Sequence, residues 1–159
     1  MDLHHAVRLA AEIVMPDMAG RTQRLNLALD ANAHELSGDF KRLQQVFWNL
    51  LKNASKFTPE GGEIAIRSRN EPGSSNEPAR IVVEVTDTGI GFNAGAPERI
   101  FEAFTQANEA IIQEYGGLGL GLAIARAVVK AHDGEIRGES AGHNQGATFT
   151  VRLPLSRIK

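Results

Sequence analysis

The stretch from Asp39 to Phe57, DFKRLQQVFWNLLKNASKF, constrains the fold more than any other part of the chain. Leu43, Val46, Phe47, Leu50, Leu51 and Ala54 recur at the spacing of one buried helix face. Asp39 can cap the N-terminus, and Thr58-Pro59 followed by Gly61-Gly62 stops the helix. At about 100° per residue, Asn49, Asn53 and Lys56 share a second stripe, with Arg42 at its upper end. Asparagine is a weak helix former because its side chain competes for the backbone, so two of them one turn apart need another reason. Two amides and an ammonium beside an apolar face suit a metal-bound polyphosphate. An ordinary polar flank on an amphipathic helix would look the same, and the helix alone does not separate the two.

At 159 residues the chain is long enough to bury a core and reads as one domain, residues 1–159. A hydrophobic fraction of 42% and a charged fraction of 23% belong to a soluble globular protein. No apolar run approaches the roughly 20 residues that cross a bilayer, and acids and histidines interrupt any signal-like pattern at the N-terminus. The absence of cysteine excludes disulfides and thiolate chemistry. A net charge of −2 gives no electrostatic case for nucleic acid or an anionic membrane. The expected setting is cytoplasmic.

Taken in order, Leu3 to Met18 reads as a helix with Val7, Leu9, Ala10, Ile13 and Val14 as its apolar contribution, ending or bending near Pro16. Leu25, Leu27 and Leu29 alternate with polar residues between Gln23 and Asp30, a half-buried strand. Beyond the central helix, Glu63 to Arg69 and Ile81 to Thr86 are strands joined through the turn-rich NEPGSSNEP. A short helix over Pro97 to Phe101 and a weakly ordered stretch from Thr105 to Tyr115 precede a glycine-rich helix that runs to about His132. Glu135 to Glu139 and Thr148 to Leu153 close the chain as strands. The expected class is α+β, a two-layer α/β sandwich: a mixed sheet of roughly five strands with about three helices on one face.

Two loops carry further chemistry. Asp87 leaves a central strand just before Gly89 and Gly91, where a carboxylate can accept from an exocyclic amine while glycines let a flat ring approach the backbone. A plain D-x-G turn would give the same letters. Gly116-Gly117-Leu118-Gly119-Leu120-Gly121 opens a helix whose unpaired amides and dipole favour a phosphate. It is neither a Walker A loop, since no Lys-Ser/Thr follows, nor a Rossmann turn, since no strand precedes it. A flexible hinge is the ordinary alternative. The three elements in this order are more specific than any one of them.

The sequence resembles the catalytic, ATP-binding domain of sensor histidine kinases of two-component systems, within the wider gyrase, chaperone, kinase and mismatch-repair ATPase superfamily. DFKRLQQVFWNLLKNASKFTPEGG is similar to that family's N box, DTGIGF to its G1 box and IFEAFTQ to its F box. GGLGLGLAIARAVVKAHDGEI is similar to the G2 box and GATFTVRLPL to the closing motif. The resemblance implies ATP and Mg²⁺ as cofactors, with Asn53 as the metal ligand and Asn49 and Lys56 at the phosphates. It implies that Asp87 holds the adenine amino group between Gly89 and Gly91, and that Thr148 lines the adenine side. Gly117, Leu118, Gly119, Leu120 and Gly121 would form the phosphate loop. Phe101 and Phe104 would anchor a mobile ATP lid, Thr105 to Tyr115, although core aromatics would read the same.

The same resemblance implies a phosphoacceptor histidine on a separate helical hairpin and a downstream response regulator. His34-Glu35-Leu36-Ser37-Gly38 echoes the phosphoacceptor motif but lacks its Arg and Pro and sits in a loop, so it reads as coincidence. The chain thus looks like a catalytic domain cut from a longer kinase, of a kind that can be membrane-anchored, and is expected to be monomeric in isolation. Asn49 stands where true ATPases of the superfamily carry a water-activating carboxylate, which predicts transfer to an imidazole rather than hydrolysis. No Lys or Arg occurs between Arg99 and Arg126, and Leu118 replaces a common hydroxyl residue. A lid clamp on the γ-phosphate is therefore not expected, which keeps a transfer-inactive nucleotide-sensing module open as an alternative. A serine kinase of the anti-sigma type is a weaker one, since KFTPEGG and GGLGLGL are closer to sensor kinases.

Overall fold

A computed structural model describes residues 1–91, 119–142 and 144–156. The described elements are helices α1 (Leu3–Gly20), α2 (Phe40–Phe57) and α3 (Gly119–Ala131), and strands β1 (Arg24–Leu29), β2 (Glu63–Glu71), β3 (Arg80–Asp87), β4 (Glu135–Glu139) and β5 (Ala147–Pro154). The strands form a five-stranded sheet in the order β1-β2-β3-β5-β4. β1 and β2 are parallel, joined through α2, and the remaining pairs are antiparallel. This is the expected α+β sandwich with a mixed sheet. The expected helix at Pro97 to Phe101 and the segment Thr105 to Tyr115 lie outside the described residues.

Alternation along β3 separates the two faces of the sheet. Ile81, Val83 and Val85 join the core beneath the helices, as do Phe149, Val151 and Leu153 from β5. Among the described residues, the opposite face carries a lattice of ion pairs and no helical layer. Arg69 reaches Glu84 at 3.3 Å and Glu71 at 3.2 Å, and Arg152 reaches Glu71 at 3.1 Å and Glu135 at 3.6 Å. Long side chains of this kind cover apolar surface with their stems, and Val82 on that face is fully buried.

α2 lies between α1 and α3 and contacts β3. Asp39 caps it by accepting from the Arg42 amide, as the sequence predicts. Leu43, Val46, Phe47, Leu50 and Leu51 are completely buried. α1 runs two residues beyond the expected end at Met18. The helix passes through Pro16 and continues to Gly20, because Pro16 is on the exposed side, where water can take the freed carbonyl, while Met18 one half-turn on is buried. Ile13, counted above with the apolar face, is 55% exposed, and Leu27 of β1 is 44% exposed. The buried face of α1 is instead Leu3, Val7, Ala10, Ala11, Val14 and Met18.

Phe47 is the largest of the fully buried side chains among the described residues. Phe47→Ala is expected to cost about 3–5 kcal/mol of stability, the transfer loss plus the cavity left behind. Urea unfolding with an unchanged m-value would check it.

Candidate functional site

α2 exposes its second stripe toward α3 and the end of β3 rather than to solvent. Asn49 is 7% exposed and Asn53 is 3% exposed, unusual burial for asparagine in a helix. The Asn49 side-chain amide donates to the Gly121 carbonyl at 3.3 Å, which ties the first turn of α3 to the stripe. Asn53 Nδ2 is buried without a hydrogen-bond partner among the described residues. A buried amide donor costs free energy unless something satisfies it, so this position fits a ligand bearing oxygens. Lys56 continues the stripe and is half-buried. Arg42 turns away, pairing with Asp39 at 3.6 Å on the surface.

The last turn of α2 is held by side chains from the α1–β1 connection. Gln23 Nε2 donates to the carbonyls of Ser55 (2.8 Å) and Thr58 (2.7 Å), and the Ser55 hydroxyl donates back to Gln23 Oε1 at 2.6 Å. Arg21 Nη1 donates to Ser55 O at 2.8 Å. These bonds occupy carbonyls that a helix end leaves without partners, so the turn carrying Asn53 and Lys56 is fixed in place. The sequence reading missed this network: a Gln between a helix and a strand has no local pattern that assigns it.

β3 delivers Asp87 to the same region. Asp87 follows Val85 on the helix-facing side and is 5% exposed. Burial pushes its carboxyl above the usual range, while the backbone amides of Gly89 and Ala147 act the other way. The Gly89 amide donates to Asp87 Oδ1 at 2.8 Å. The loop then rests on α2, with the Ile90 amide donating to Phe57 O at 3.2 Å.

The glycines are required by the protein's own packing. A Cβ on Gly89 would stand 2.5 Å from Phe57 O, and Gly91, at φ 66°, would meet Gly142 O at 2.4 Å. Gly146, which sequence reasoning did not single out, has φ 74°, and a Cβ there would lie 2.2 Å from Asp87 O. Its amide donates to Gly89 O at 2.9 Å. Gly121 is different: a Cβ would meet only Asn49, at an ordinary 3.8 Å, so the described neighbours leave room there.

The structure therefore brings Asn49, Asn53, Asp87, Gly89, Gly91 and Gly121 to the helix-facing side at one end of the sheet, while Lys56 lines a neighbouring groove with Arg21, Pro59, Glu60 and Ile90. Gly119 and Leu120 open α3. Thr148 is one residue out of phase with this set, its hydroxyl 3.2 Å from that of Thr86 across the strand pair. The groove it lines with Glu84, Thr150 and Arg152 on the ion-paired face nevertheless extends to Asp87, Gly146 and Ala147. Ala147, next to Thr148 and opposite Asp87 in the register, faces the helices instead. Phe101, Phe104, Gly117 and Leu118 lie outside the described residues.

This arrangement is that of a known ATPase fold. The family described as histidine kinase-, DNA gyrase B-, and HSP90-like ATPase matches residues 38–157, and the chain belongs to it. Within that family the similarity is to sensor kinases. The sensor histidine kinase AruS of Pseudomonas aeruginosa is 41% identical over 145 residues, covering 91% of this chain and 14% of AruS. The circadian input-output histidine kinase CikA of Synechococcus elongatus is 39% identical over 130 residues, covering 82% of this chain and 16% of CikA. The chain thus spans about one-sixth or less of the length of these relatives. Full-length ShkA, solved in complex with AMPPNP, superposes with a TM-score of 0.81 at 30% identity over 99% of this chain and 31% of ShkA. The catalytic domain of ThkA shares the fold at a TM-score of 0.80 and 23% identity, covering 99% of this chain and 97% of the ThkA domain.

Two outcomes are expected at this site. Gly89→Ala should be destabilised by about 1–3 kcal/mol through the clash with Phe57 O, read by thermal unfolding. Asp87→Asn should behave oppositely. The folded state holds the Asp87 proton more tightly than the unfolded chain, so the carboxyl favours folding below the ordinary carboxylate range. That contribution is lost as pH rises through the raised value. At neutral pH, Asp87→Asn should therefore unfold at the same or a higher temperature than the parent, and the gap should close in mild acid.

Proposed function

We propose that this chain is the catalytic, ATP-binding unit of a sensor histidine kinase, acting as one domain over residues 1–159. It binds Mg-ATP and transfers the γ-phosphoryl group to a histidine on a separate helical hairpin, for relay to a response regulator. The observation that carries the reading is the convergence on one side of the sheet of a buried carboxylate, Asp87, and an unsatisfied buried amide, Asn53. Support also comes from the similarity to the sensor histidine kinases AruS and CikA, and from the structures of ShkA in complex with AMPPNP and of ThkA in complex with the response regulator TrrA.

In this reading Asp87 accepts from the adenine amino group, and Gly89 and Gly91 shape the base site. Asn49, Lys56 and the amides from Gly117 to Gly121 hold the phosphates, with Leu118 and Leu120 contributing backbone only. Asn53 is the residue that would hold magnesium, and the ion when bound neutralises phosphate charge. The acceptor imidazole nitrogen forms a bond to the γ-phosphorus as the bond to the bridging oxygen breaks and ADP leaves. Asn49 cannot take a proton from water, so positioning and charge stabilisation do the catalysis. Phe101 and Phe104 would flank the lid. For Thr148 we propose no direct contact with the base, since its hydroxyl pairs with Thr86 on the other face.

Calorimetry should give tighter binding of ATP than GTP by about tenfold or more, because a polar group built for an amine rejects a carbonyl; equal affinities would overturn the role of Asp87. Asn53→Ala should abolish magnesium-dependent binding and transfer with little change in unfolding temperature, and full activity in that variant would overturn the metal assignment. Mixed with its helical hairpin and γ-labelled ATP, the chain should place acid-labile, base-stable label on histidine. Binding without transfer would identify a nucleotide-sensing module instead, and base-labile label on serine the anti-sigma-type alternative.

A further inference from the structure

At the far end of the sheet the start of α1 meets the loop between β1 and α2. The Asp2 carboxylate caps α1, with Oδ1 accepting from the amides of His4 at 2.9 Å and His5 at 3.4 Å. His34 Nδ1 lies 2.6 Å from the same oxygen. The His34 ring stacks on that of His4 with centroids 4.1 Å apart and planes 14° from parallel. His4 is 3% exposed, and its Nε2 is 2.8 Å from Ser68 Oγ. Its Nδ1 makes no hydrogen bond among the described residues, and Asp2 Oδ2 takes no part in the cap. One nitrogen from each ring and one Asp2 oxygen lie within 4.8 Å of one another. The backbone closes around them, with Leu3 N–H donating to His34 O at 2.9 Å and Leu36 N–H to Met1 O at 3.0 Å.

We propose that Asp2, His4 and His34 form a site for one divalent transition-metal ion of the zinc class, tying the start of α1 to the β1–α2 loop. Two imidazoles and a carboxylate are the donor set of a zinc-class ion and not of magnesium, which prefers oxygen alone. Burial, then the neighbouring His34, hold the His4 imidazole below its ordinary value, which keeps a lone pair available. Burial pushes Asp2 up, but His34 and the two amides outweigh it and keep the carboxyl ionised. A hydrogen bond such as that between His4 Nε2 and Ser68 Oγ is how ligating imidazoles are oriented. Metal bonds of about 2.0–2.2 Å require the donors to draw together. His34, with its side chain 33% exposed on a loop, is the ring that turns out of the stack to meet the ion, leaving water for a fourth position.

The site is separate from the nucleotide face. Ser68 pairs with Val83 while Ile64 pairs with Asp87, a separation of roughly 13 Å along the strand at about 3.3 Å per residue. Binding there raises the stability of the folded state by mass action without occupying the ATP site.

The test is titration of the chelator-treated chain, free of added histidines, with Co²⁺ followed by visible absorption and displacement with Zn²⁺. One equivalent should bind with the intense spectrum of a four-coordinate site, Zn²⁺ should raise the unfolding temperature, and the imidazole resonances of His4 and His34 should shift in the unaltered protein. His34→Ala should weaken binding by about tenfold or more, while His5→Ala and Asp87→Asn leave it unchanged. Failure to bind, equal binding by His34→Ala, or resonance shifts confined to other histidines would overturn the proposal.

Discussion

Everything at the candidate site depends on α2 being buried along two stripes at once. Its apolar face, with Phe47 and Leu50 fully enclosed, fixes the rotation of the helix about its axis. With that rotation fixed, Asn49 and Asn53 have nowhere to go but into the space bounded by α3 and the end of β3. Burying carboxamides costs free energy that the leucines alone would not have required. The fold tolerates it because Asn49 finds Gly121 O and the end of the helix is held by Gln23. Asn53 remains the unsatisfied member, a local inconsistency of the sort that native chains keep where function requires it.

Asp87 shows the same trade from the sheet side. A carboxylate in the row of Ile81, Val83 and Val85 opposes stability at neutral pH, and the loop around it compensates with tight backbone packing. Gly89 lies against Phe57 O, and Gly91 and Gly146 interlock with the β4–β5 connection. These glycines let the end of α2, the loop after β3 and the β4–β5 connection pack closely around the end of β3 that carries Asp87.

Much of this was legible in the sequence because the signals were periodic. The α2 face, the β3 run and the order of the elements all follow from spacing, and Asp39 behaves as the cap its position suggested. The glycine positions were legible too, and the structure gives Gly89 and Gly91 a packing reason of their own. What escaped was set by register and long-range contact. Thr148 is one residue out of phase with Ala147, and a shift of one residue on a strand moves a side chain to the other face. Ile13 fits a helical stripe yet is exposed, since the boundary of the α1 interface depends on where α2 lies. Gln23 gave no local sign of its role, as its partners Ser55 and Thr58 are more than thirty residues away.

The clasp at the end of α2 also has a mechanical meaning. Arg21 directly follows α1, and its guanidinium grips the Ser55 carbonyl, so α1 is not merely packed beside the nucleotide face but hooked to it. A twist or pull delivered along α1 would reach the turn bearing Asn53 and Lys56 through one rigid handle, without first deforming the sheet. Such a linkage couples the tilt of one helix to the position of another's last turn.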